Sequence, residues 1–488
     1  MRTLTNGISN ILIGLEVHVQ ITSLKTKLFC SCSADYRGAP PNTHVCPVCL
    51  GLPGALPVVN ERAVEYAIKT CLALNGRVAS ILRFDRKHYF YPDLPKNYQI
   101  TQYLEPICKG GWITIEHEGV EKRIRLKRIN LEEDPGRIVY PTNNPLTSPY
   151  VLVDYNRSGI ALMEIVTEPD MHSPSEALAF LTKLRSILEH LGVCDCSLEG
   201  AMRVDANISI EGGERVEVKN IGSLKDVERA LTYEIIRQQS LISKGVKIPR
   251  ETRHWDPVRR ITVSARVKEA EEDYRYMPDP NLPPIPIPKE LIEKIESELP
   301  ELPDARIERL IRAYKIPRSI AKILVYTSKT LADFFEEAVK AYPQGSRDIA
   351  NYIANDLLGW IKEEELKRIT SIVKPEYVAK AIRMVREGRI TIRQAKQLTE
   401  LLVKTGKDPE KLAEELGFTR ISDRALLERI VEEVFNENPK AVKDAMRKPK
   451  AVNYLIGMVM RKTKGKADPE ITREIVLAKL SKLHKASH

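Results

Sequence analysis

One segment near the start of the chain alternates apolar and polar residues almost without exception. In residues 11–20 the odd positions carry Ile, Leu or Val, and the even positions include Glu16, His18 and Gln20. Because successive side chains of a β-strand point to opposite faces, these three polar side chains share one face, roughly 6.5–7 Å apart. A carboxylate beside an imidazole can hold a cation, although a solvated strand face is the simpler interpretation.

Three further segments supply polar groups. Residues 203–210 alternate in the same way and place Arg203, Asp205 and Asn207 on one face. An acidic turn is predicted at 132–134, and Glu164 is a lone carboxylate in the apolar run 161–166. Because burial of an unpaired carboxylate is costly, we expect Glu164 to have a cation or a hydrogen-bond partner. Such oxygen ligands suit Mg²⁺ shared with a nucleotide's phosphates, although spacing alone cannot bring the segments together.

Four cysteines form two close pairs, Cys30-x-Cys32 and Cys46-x-x-Cys49. Four thiolates fit a closed tetrahedral zinc site, and without an open ligand position its role is structural. Free buried thiols are the alternative. The chain has too few cysteines for a disulfide framework. We interpret the other four as core or incidental residues: Cys71, Cys108, Cys194 and Cys196.

Residues 84–99 pack basic and aromatic side chains closely together. Such a segment can bind phosphates and stack a base or an adenosine, or it is a surface loop anchored by core tyrosines. The chain has neither the phosphate-binding loop of a Walker fold nor a serine nucleophile motif. Any nucleotide chemistry therefore uses a different fold.

The positive charge is concentrated towards the C-terminus. Of a net charge of +10, residues 341–488 supply most, with 30 Lys and Arg against 21 Asp and Glu. Within 441–488 the ratio is 12 to 4. A basic tail on a near-neutral body favours a phosphate-backbone partner, with a solvated lysine-rich surface as the alternative.

The pattern predicts an α+β fold with two to four domains in 488 residues. Strand-like alternation dominates the first 290 residues, and the proline-rich segment 277–288 then stops regular structure. Helical periodicity follows. No apolar run approaches the length of a membrane span and no secretory signal is evident, so we expect an intracellular, cytoplasmic protein with no membrane partner. Strands are predicted at 11–20, 112–116, 123–128, 203–210 and 260–265, and helices at 61–74 and 175–191.

In this order the segments resemble the B subunit of the glutamine-dependent, tRNA-dependent amidotransferase, a three-subunit complex with A and C partners. The resemblance extends nearly from end to end, and so many long matches in register are not coincidence. It rests on residues 13–20, 27–30, 56–60, 84–99, 132–134, 203–209, 217–220, 273–276 and 465–469.

The resemblance implies a reaction that spacing could not reveal. That family phosphorylates the side-chain carboxylate of Glu-tRNA(Gln) or Asp-tRNA(Asn) with ATP, and ammonia made from glutamine by the A subunit then displaces the phosphate. It implies a mixed or antiparallel-sheet cradle with the catalytic site and zinc knuckle at 1–290 and a helical domain at 291–408. A tRNA-binding helical tail would follow at 409–488, with a YqeY-like region at about 340–488.

The resemblance also implies roles for particular residues. Lys87 matches a family lysine near the point where ammonia arrives, and we expect it to be catalytic with Glu133 and Asp205. Implied cofactors are ATP, Mg²⁺ and a structural Zn²⁺. The implied magnesium ligands are Glu16, His18, Glu133, Glu164 and Asp205, and the implied substrate or ATP contacts are Arg86, Tyr91, Arg203 and Asn207.

Two other classes stay open. One is the E subunit of the Glu-specific two-subunit amidotransferase, which shares the cradle but usually carries an additional synthetase-like domain. The other is a non-catalytic zinc-knuckle RNA-binding protein. The acidic set disfavours the second class, because converging carboxylates repel phosphate unless a cation intervenes. Whether Glu-tRNA, Asp-tRNA or both are substrates is not predicted.

Overall fold

The computed structural model describes residues 10–142, 148–264, 274–418, 424–447, 449–463 and 466–486. The chain divides into two compact units, the first ending at Arg306 and the second beginning at Ile307. The predicted α+β order, strands first and helices after, is confirmed. The finer division at 290 and 408 stays a prediction. Asp273 and Gly465, which belong to the resemblance, and Ala265, in a predicted strand, lie outside the described residues.

The first unit is built on a large sheet, ten-stranded within the described residues, in the order β15-β14-β13-β12-β1-β11-β8-β6-β2 with β7 beside β8. Its neighbours are antiparallel except for β13 and β14. Shorter strands form small ribbons beside it. In chain order the strands are β1 Ile11–Gln20, β2 Arg77–Val78, β3 Ile81–Leu82, β4 Asp85–His88, β5 Tyr98–Thr101, β6 Cys108–Lys109, β7 Trp112–His117, β8 Val120–Glu133, β9 Arg137–Val139, β10 Leu152–Asp154, β11 Ala161–Thr167, β12 Met202–Ile210, β13 Val216–Ile221, β14 Glu251–Asp256, β15 Ile261–Ser264, β16 Met277–Pro278 and β17 Ile285–Pro286.

Helices cover one face of the sheet, because the apolar side of β1 needs a partner. Leu15, Val17 and Val19 are almost completely buried and share one core with Phe180 and Leu231 from the helices. The face that carries the even positions of β1 is left to polar side chains. The helices of this unit are α1 Glu61–Ala73, α2 Pro174–His190, α3 Leu224–Ser243 and α4 Lys289–Ser297.

Side-chain caps mark the beginning of α1 and of α2. The Asn60 side chain accepts a hydrogen bond from the Ala63 amide before α1, and Ser173 accepts one from the Glu176 amide before α2. Pro174 at the first turn of α2 removes a donor that would have no helical partner. The helix predicted at 175–191 therefore begins one residue earlier.

A disulfide between Cys71 of α1 and Cys108 of β6 corrects the interpretation of these two residues as incidental. Both are fully buried in the core of the first unit. They are 37 residues apart, and nothing in their spacing indicates a pair. Gly76 makes room for the bond, since a Cβ there would lie 2.2 Å from Cys108 Sγ.

The second unit is helical within its described residues and contains two separate apolar cores. One is formed by residues between Ile307 and Ala413, and the other by residues between Leu427 and Leu480. No helix in the described parts of the chain is long and apolar enough to cross a membrane. After α5 Pro303–Tyr314, which spans the division, the helices are α6 Arg318–Thr327, α7 Lys329–Ala341, α8 Ser346–Asn355, α9 Ile369–Ile372, α10 Pro375–Arg386, α11 Ile392–Thr405, α12 Pro409–Glu415, α13 Arg424–Glu437, α14 Pro439–Arg447, α15 Pro449–Lys462 and α16 Pro469–Ala486, with 3₁₀ turns at Pro343–Gly345, Leu357–Gly359 and Glu363–Arg368.

Reduction of the disulfide should lower the free energy of unfolding by about 2–4 kcal/mol, because the bond closes a long loop in the unfolded chain. Guanidinium unfolding with and without a reductant measures this difference. Cys71→Ala is the matched control, since its stability should be low in both conditions and unaffected by the reductant. An equal reductant effect in the variant and the parent would contradict a contribution from this bond.

Candidate active site and zinc site

The pairing of β1 brings the separated polar segments together on one face of the sheet. Glu16 lies opposite Asp205 of β12, and His18 lies opposite both Arg203 of β12 and Glu164 of β11. The same alternation places Asn207 opposite Gly14. The segments that spacing alone could not join are therefore adjacent strands.

His18 lies between two carboxylates on this face. Its Nε2 atom is 3.8 Å from Glu164 Oε1 and 3.8 Å from Glu132 Oε1. Glu164 also lies near a cation, with Arg128 Nη2 at 3.7 Å from its Oε2 atom. The lone carboxylate of the apolar run thus has the polar partners that its burial requires.

Two asparagines on this face donate hydrogen bonds to carboxylates through their side-chain amide nitrogens. Asn130 Nδ2 donates to Glu164 Oε2 at 2.7 Å, and Asn207 Nδ2 donates to Glu16 Oε1 at 3.1 Å. The Oδ1 atoms of both asparagines are buried and, in the described part of the chain, accept no hydrogen bond. Buried acceptors without a partner are rare, and an oxygen-binding cation would satisfy them.

Glu132, which the predicted set omits, is on this face, whereas Glu133 is on the opposite one. Glu133 is buried and pairs with Lys96, and its Oε1 atom accepts from the Ile100 amide at 2.9 Å. β8 continues to Glu133 instead of ending in a turn, so neighbouring residues alternate in direction. If the alternation of the strand predicted at 123–128 had been continued for four more residues, it would have placed Glu132 on this face. The metal-ligand and catalytic roles of Glu133 stay predictions.

The carboxylates of this face repel one another. Burial, and then the charge of Glu164, raises the pKa of Glu132 to about 7, although His18 and Lys87 oppose the shift. Burial also raises the pKa of Glu16, with added repulsion from Glu164 and other acidic neighbours. A divalent cation would relieve this repulsion.

A lysine that the site prediction missed lies at the far side of the carboxylates. Lys219 Nζ is 3.6 Å from Asp205 Oδ2 and 3.6 Å from Glu217 Oε1. Burial lowers the pKa of Lys219, but attraction to Asp205 and Glu217 outweighs it and leaves the pKa raised. Lys219 and Glu217 belong to the motif 217–220, which contributes to the resemblance. That motif could have indicated both residues from the sequence.

Lys87 reaches the acidic face from β4. Its Nζ atom lies 4.6 Å from the ring centroid of Tyr274, and its charge lowers the pKa of Glu132 against the dominant effect of burial. Tyr91 is about half exposed, in the loop that follows β4. Of the predicted residues in this segment, Lys87 is the one that interacts electrostatically with a carboxylate of the face.

Arg86, the neighbour of Lys87, is neutralised by its own partner. Its Nε atom donates to Asp279 Oδ2 at 2.9 Å, and its guanidinium lies 4.1 Å from the ring centroid of Tyr98. Because Asp279 is buried, this pair fastens the segment that contains β16 to β4. Arg86 therefore has a structural contact, and its role as a substrate or ATP contact stays a prediction.

A buried carboxylate orients Arg203. Arg203 Nη2 donates to Asp134 Oδ1 at 2.7 Å, and Gln20 Nε2 donates to Asp134 Oδ2 at 2.6 Å. Burial raises the pKa of Asp134, but Arg203 and Arg157 outweigh it and keep the carboxyl ionised. Arg203 is thus held in place opposite His18, with its charge paired to Asp134.

The face suits a magnesium ion that is shared with a nucleotide better than a closed metal cage. Among the described residues, the only group of three or more His, Cys, Asp or Glu ligand atoms within 4.8 Å of one another is the four cysteines. The carboxylates are spread along the strands. Mg²⁺ usually keeps waters and substrate phosphates as ligands and needs only one or two carboxylates.

The four predicted zinc ligands, Cys30, Cys32, Cys46 and Cys49, do converge. Cys46 Sγ and Cys49 Sγ are 3.9 Å apart, close to the roughly 3.8 Å expected for two thiolates at about 2.3 Å from one tetrahedral zinc. Without metal, a hydrogen bond from Cys30 and then attraction to Lys27 lower the pKa of Cys49 to about 4. The donor set fits zinc.

Lys27 is a fully buried cation beside this cluster, and the sequence analysis did not identify it. Its Nζ atom lies 3.6 Å from Cys49 Sγ and donates to the His44 carbonyl at 2.8 Å. Four thiolates on one Zn²⁺ leave two negative charges, and a buried ammonium offsets part of them. Because Lys27 belongs to the motif 27–30, the resemblance could have indicated it from the sequence.

Comparison with known proteins agrees with the fold and with this site. Residues 11–293 match the family model described as the GatB/GatE catalytic domain, and residues 333–480 match the GatB domain. The B subunit of the aspartyl/glutamyl-tRNA(Asn/Gln) amidotransferase of Saccharolobus solfataricus is 56% identical over 96% of this chain and 99% of its own length. The protein of the same name from Thermotoga maritima is 48% identical over 95% of this chain and 97% of its own length.

The first match defines the class, a catalytic cradle of the GatB/GatE type. The second match and the relatives distinguish the B type from the E type. The chain belongs to the GatB family of tRNA-dependent amidotransferase subunits. The resemblance drawn from the sequence is therefore confirmed.

Removal of the buried cation should weaken the zinc site by about 10–100-fold in metal affinity, the usual effect of losing a supporting contact. The change is Lys27→Met, and competition with a chromogenic chelator measures the affinity. Lys25→Met is the matched control, because Lys25 is exposed two residues away. Equal zinc affinity in both variants would contradict charge compensation by Lys27.

Proposed function

We propose that this chain phosphorylates the side-chain carboxylate of Glu-tRNA(Gln), Asp-tRNA(Asn) or both with ATP and then amidates it with ammonia. In class it would be a carbon–nitrogen ligase with glutamine as the amido donor. The observation that carries the proposal is the polar face of β1, where carboxylates, two unpartnered amide oxygens and flanking cations meet. These are the groups that bind a nucleotide polyphosphate and stabilise phosphoryl transfer.

The described residues have separable tasks in this reaction. Mg²⁺, when bound with ATP, would neutralise charge that develops on the transferred phosphoryl group. Glu16, His18, Glu164 and Asp205 are the predicted ligands, and the proximity of Glu132 supports its addition to them. Three further predicted residues lie on the face or close to it and would bind phosphate or the intermediate: Lys87, Arg203 and Asn207.

Partners are part of the proposal. The chain would act in a heterotrimer with an A subunit, which releases ammonia from glutamine, and a C subunit. The names of the relatives support an assembly with several subunits and tRNA substrates. The zinc would be structural, because the cysteines are on a separate loop and use all four ligand positions.

The C-terminal helices provide the tRNA contact in this proposal. Residues 419–488 carry 16 Lys and Arg against 9 Asp and Glu. The helices from α13 to α16 pack around their own apolar core. Their packing therefore leaves charged side chains on the surface for a binding partner. A positive surface on a separately folded helical element suits a phosphate backbone.

A non-catalytic RNA-binding role remains the second candidate only because of this tail and the zinc knuckle. The acidic face disfavours it, since several carboxylates near His18 would repel RNA without a cation. An RNA-binding protein has no need for that set.

The decisive assay is amidation of Glu-tRNA and Asp-tRNA by the chain with its A and C partners, with and without ATP. We expect ATP-dependent conversion of one or both substrates by the parent chain. Asp205→Asn should reduce it by at least about 100-fold, because the isosteric amide lacks the negative charge with which this side chain would hold Mg²⁺, while tRNA affinity stays within about twofold.

Glu214→Gln is the control for this variant, because Glu214 is an exposed carboxylate between β12 and β13. It should retain parental activity. Loss of tRNA affinity in Asp205→Asn equal to its loss of activity would contradict the separation of chemistry from binding. No conversion by the parent, with tRNA bound and ATP intact, would favour the RNA-binding candidate.

Neutralisation of three exposed cations in the tail should weaken tRNA binding and lower the slope of log affinity against log salt by up to about 3. The changes are Lys443→Gln, Arg461→Gln and Lys482→Gln together, and filter binding of tRNA at several salt concentrations measures the slope. Lys225→Gln, Lys244→Gln and Lys247→Gln together remove the same charge from exposed sites in the first unit. Equal slopes for the two triple variants would show that the tail only contributes net charge.

A further inference from the structure

Two cysteines that neither the zinc site nor the buried disulfide uses lie in the loop between α2 and β12. Of the eight cysteines in the chain, two form the disulfide and four converge on the zinc site. The other two have free thiols, and Cys194 is buried whereas Cys196 is half-buried. A single residue, Asp195, separates them, so these two thiols form a pair of their own.

The two thiols are neighbours in space as well as in sequence. The Cys194 side chain is a hydrogen-bond partner of the Cys196 thiol, and this contact, followed by burial, raises the pKa of Cys196. Cα atoms two residues apart are separated by at most about 7 Å, and a disulfide spans about 4.4–6.8 Å. A slight bend of the backbone at Asp195 therefore brings the two residues within range of a bond.

A disulfide between these two residues would contribute little to stability. The stabilisation that a disulfide provides by constraining the unfolded chain grows with the length of the loop that it closes. The Cys71–Cys108 bond joins residues 37 positions apart, whereas a bond across Asp195 would enclose a single residue. A bond that gains little from the fold is readily reduced, which suits a reversible function.

The chain already contains one disulfide, the Cys71–Cys108 bond. Disulfides form and persist where the surroundings are sufficiently oxidising, and they are rare where thiols are kept reduced. Cys194 and Cys196 therefore meet surroundings in which a disulfide can form.

The loop that carries the pair is attached to both central strands of the candidate site. The Asp195 amide donates to Thr22 Oγ1 at 2.7 Å, and the Gln20 amide donates to the Ala201 carbonyl at 2.8 Å. Gln20 is the last residue of β1, and Ala201 directly precedes β12. A bend at Asp195 would therefore shift the entry into β12, the strand that carries Asp205.

We propose that Cys194 and Cys196 are a reversible dithiol–disulfide pair that couples the thiol–disulfide balance of the surroundings to the position of β12. The co-reactant is a small-molecule disulfide such as oxidised glutathione. The Cys196 thiolate attacks one of its sulfurs and releases one glutathione thiolate. The Cys194 thiolate then attacks Cys196 Sγ and releases the second. The pair loses two electrons and two protons, and one glutathione disulfide becomes two thiols.

The reduced pair is the active form in this proposal, which rests on the proposed function for its effect on amidation. With both thiols free, Asp195 and Ala201 make the contacts that hold the loop to the end of β1. The raised pKa of Cys196 keeps its thiolate scarce, so the exchange is slow. The pair therefore follows the steady thiol–disulfide balance of its surroundings and not a brief exposure to oxidant.

Peptide mapping of the zinc-loaded full chain, equilibrated in mixtures of reduced and oxidised glutathione, tests whether the bond forms. Trypsin releases residues 186–203 as one peptide, in which Cys194 and Cys196 are the only cysteines. In the oxidising mixture this peptide should lose both alkylation sites and become two hydrogen masses lighter, and dithiothreitol should reverse the change. Two alkylated thiols, or a stable mixed disulfide of Cys196 with glutathione, would overturn the proposal.

Amidation by the heterotrimer before and after the same oxidation tests the coupling to β12. Oxidation should lower kcat of the parent about tenfold, because a small misplacement of a reacting group is costly, and dithiothreitol should restore it. Cys196→Ser is the matched control, since it replaces a half-buried thiol with a hydroxyl of similar shape and should keep its kcat in both mixtures. Zinc content, measured alongside, separates this effect from metal loss at the four-cysteine cluster.

Equal loss of kcat in the parent and in Cys196→Ser, or a disulfide that leaves kcat unchanged, would overturn the coupling. If the reduced parent does not amidate at all, the proposed function fails, whereas the peptide 186–203 still shows whether the pair forms.

Discussion

The register of β1 between β11 and β12 is the constraint on which the candidate site depends. Because a strand has a period of two, one shift would send Glu16 and His18 into the helix-covered core and expose Leu15 and Val17. The burial of the odd positions therefore sets the direction of the even ones. Hydrophobic packing on one face fixes the geometry of the chemistry on the other.

That geometry brings carboxylates close together, and the surrounding cations offset only part of their negative charge. The charge of Lys219 offsets those of Asp205 and Glu217. Lys87 and Arg203 lie at the other side of the face. Burial, followed by the charge of Glu164, still raises the pKa of Glu132. Amide oxygens left without donors add to the demand for positive charge. A bound cation would meet this demand.

Alternation in the sequence was sufficient to predict β1 and β12 and to place Glu16, His18, Asp205 and Asn207 on polar faces. It failed at 132–134, because an acidic triplet before proline is typical of a turn, whereas hydrogen bonding to β11 extends β8 to Glu133. Alternation also could not predict contacts between residues that are far apart in the sequence. The Cys71–Cys108 bond and the position of Lys27 depend on segments that only the folded sheet brings together.

The cysteine loop, although separate from the proposed chemistry, lies close to the end of β8. Gly159 has a φ of +85°, and a Cβ there would lie 3.3 Å from Cys49 Cβ and 3.9 Å from Glu133 Oε2. The Leu28 amide also donates to the Gly159 carbonyl at 2.9 Å. The cysteine loop and the Glu133 carboxylate therefore both approach Gly159. A metal held by the four cysteines would therefore hold this loop beside the end of β8.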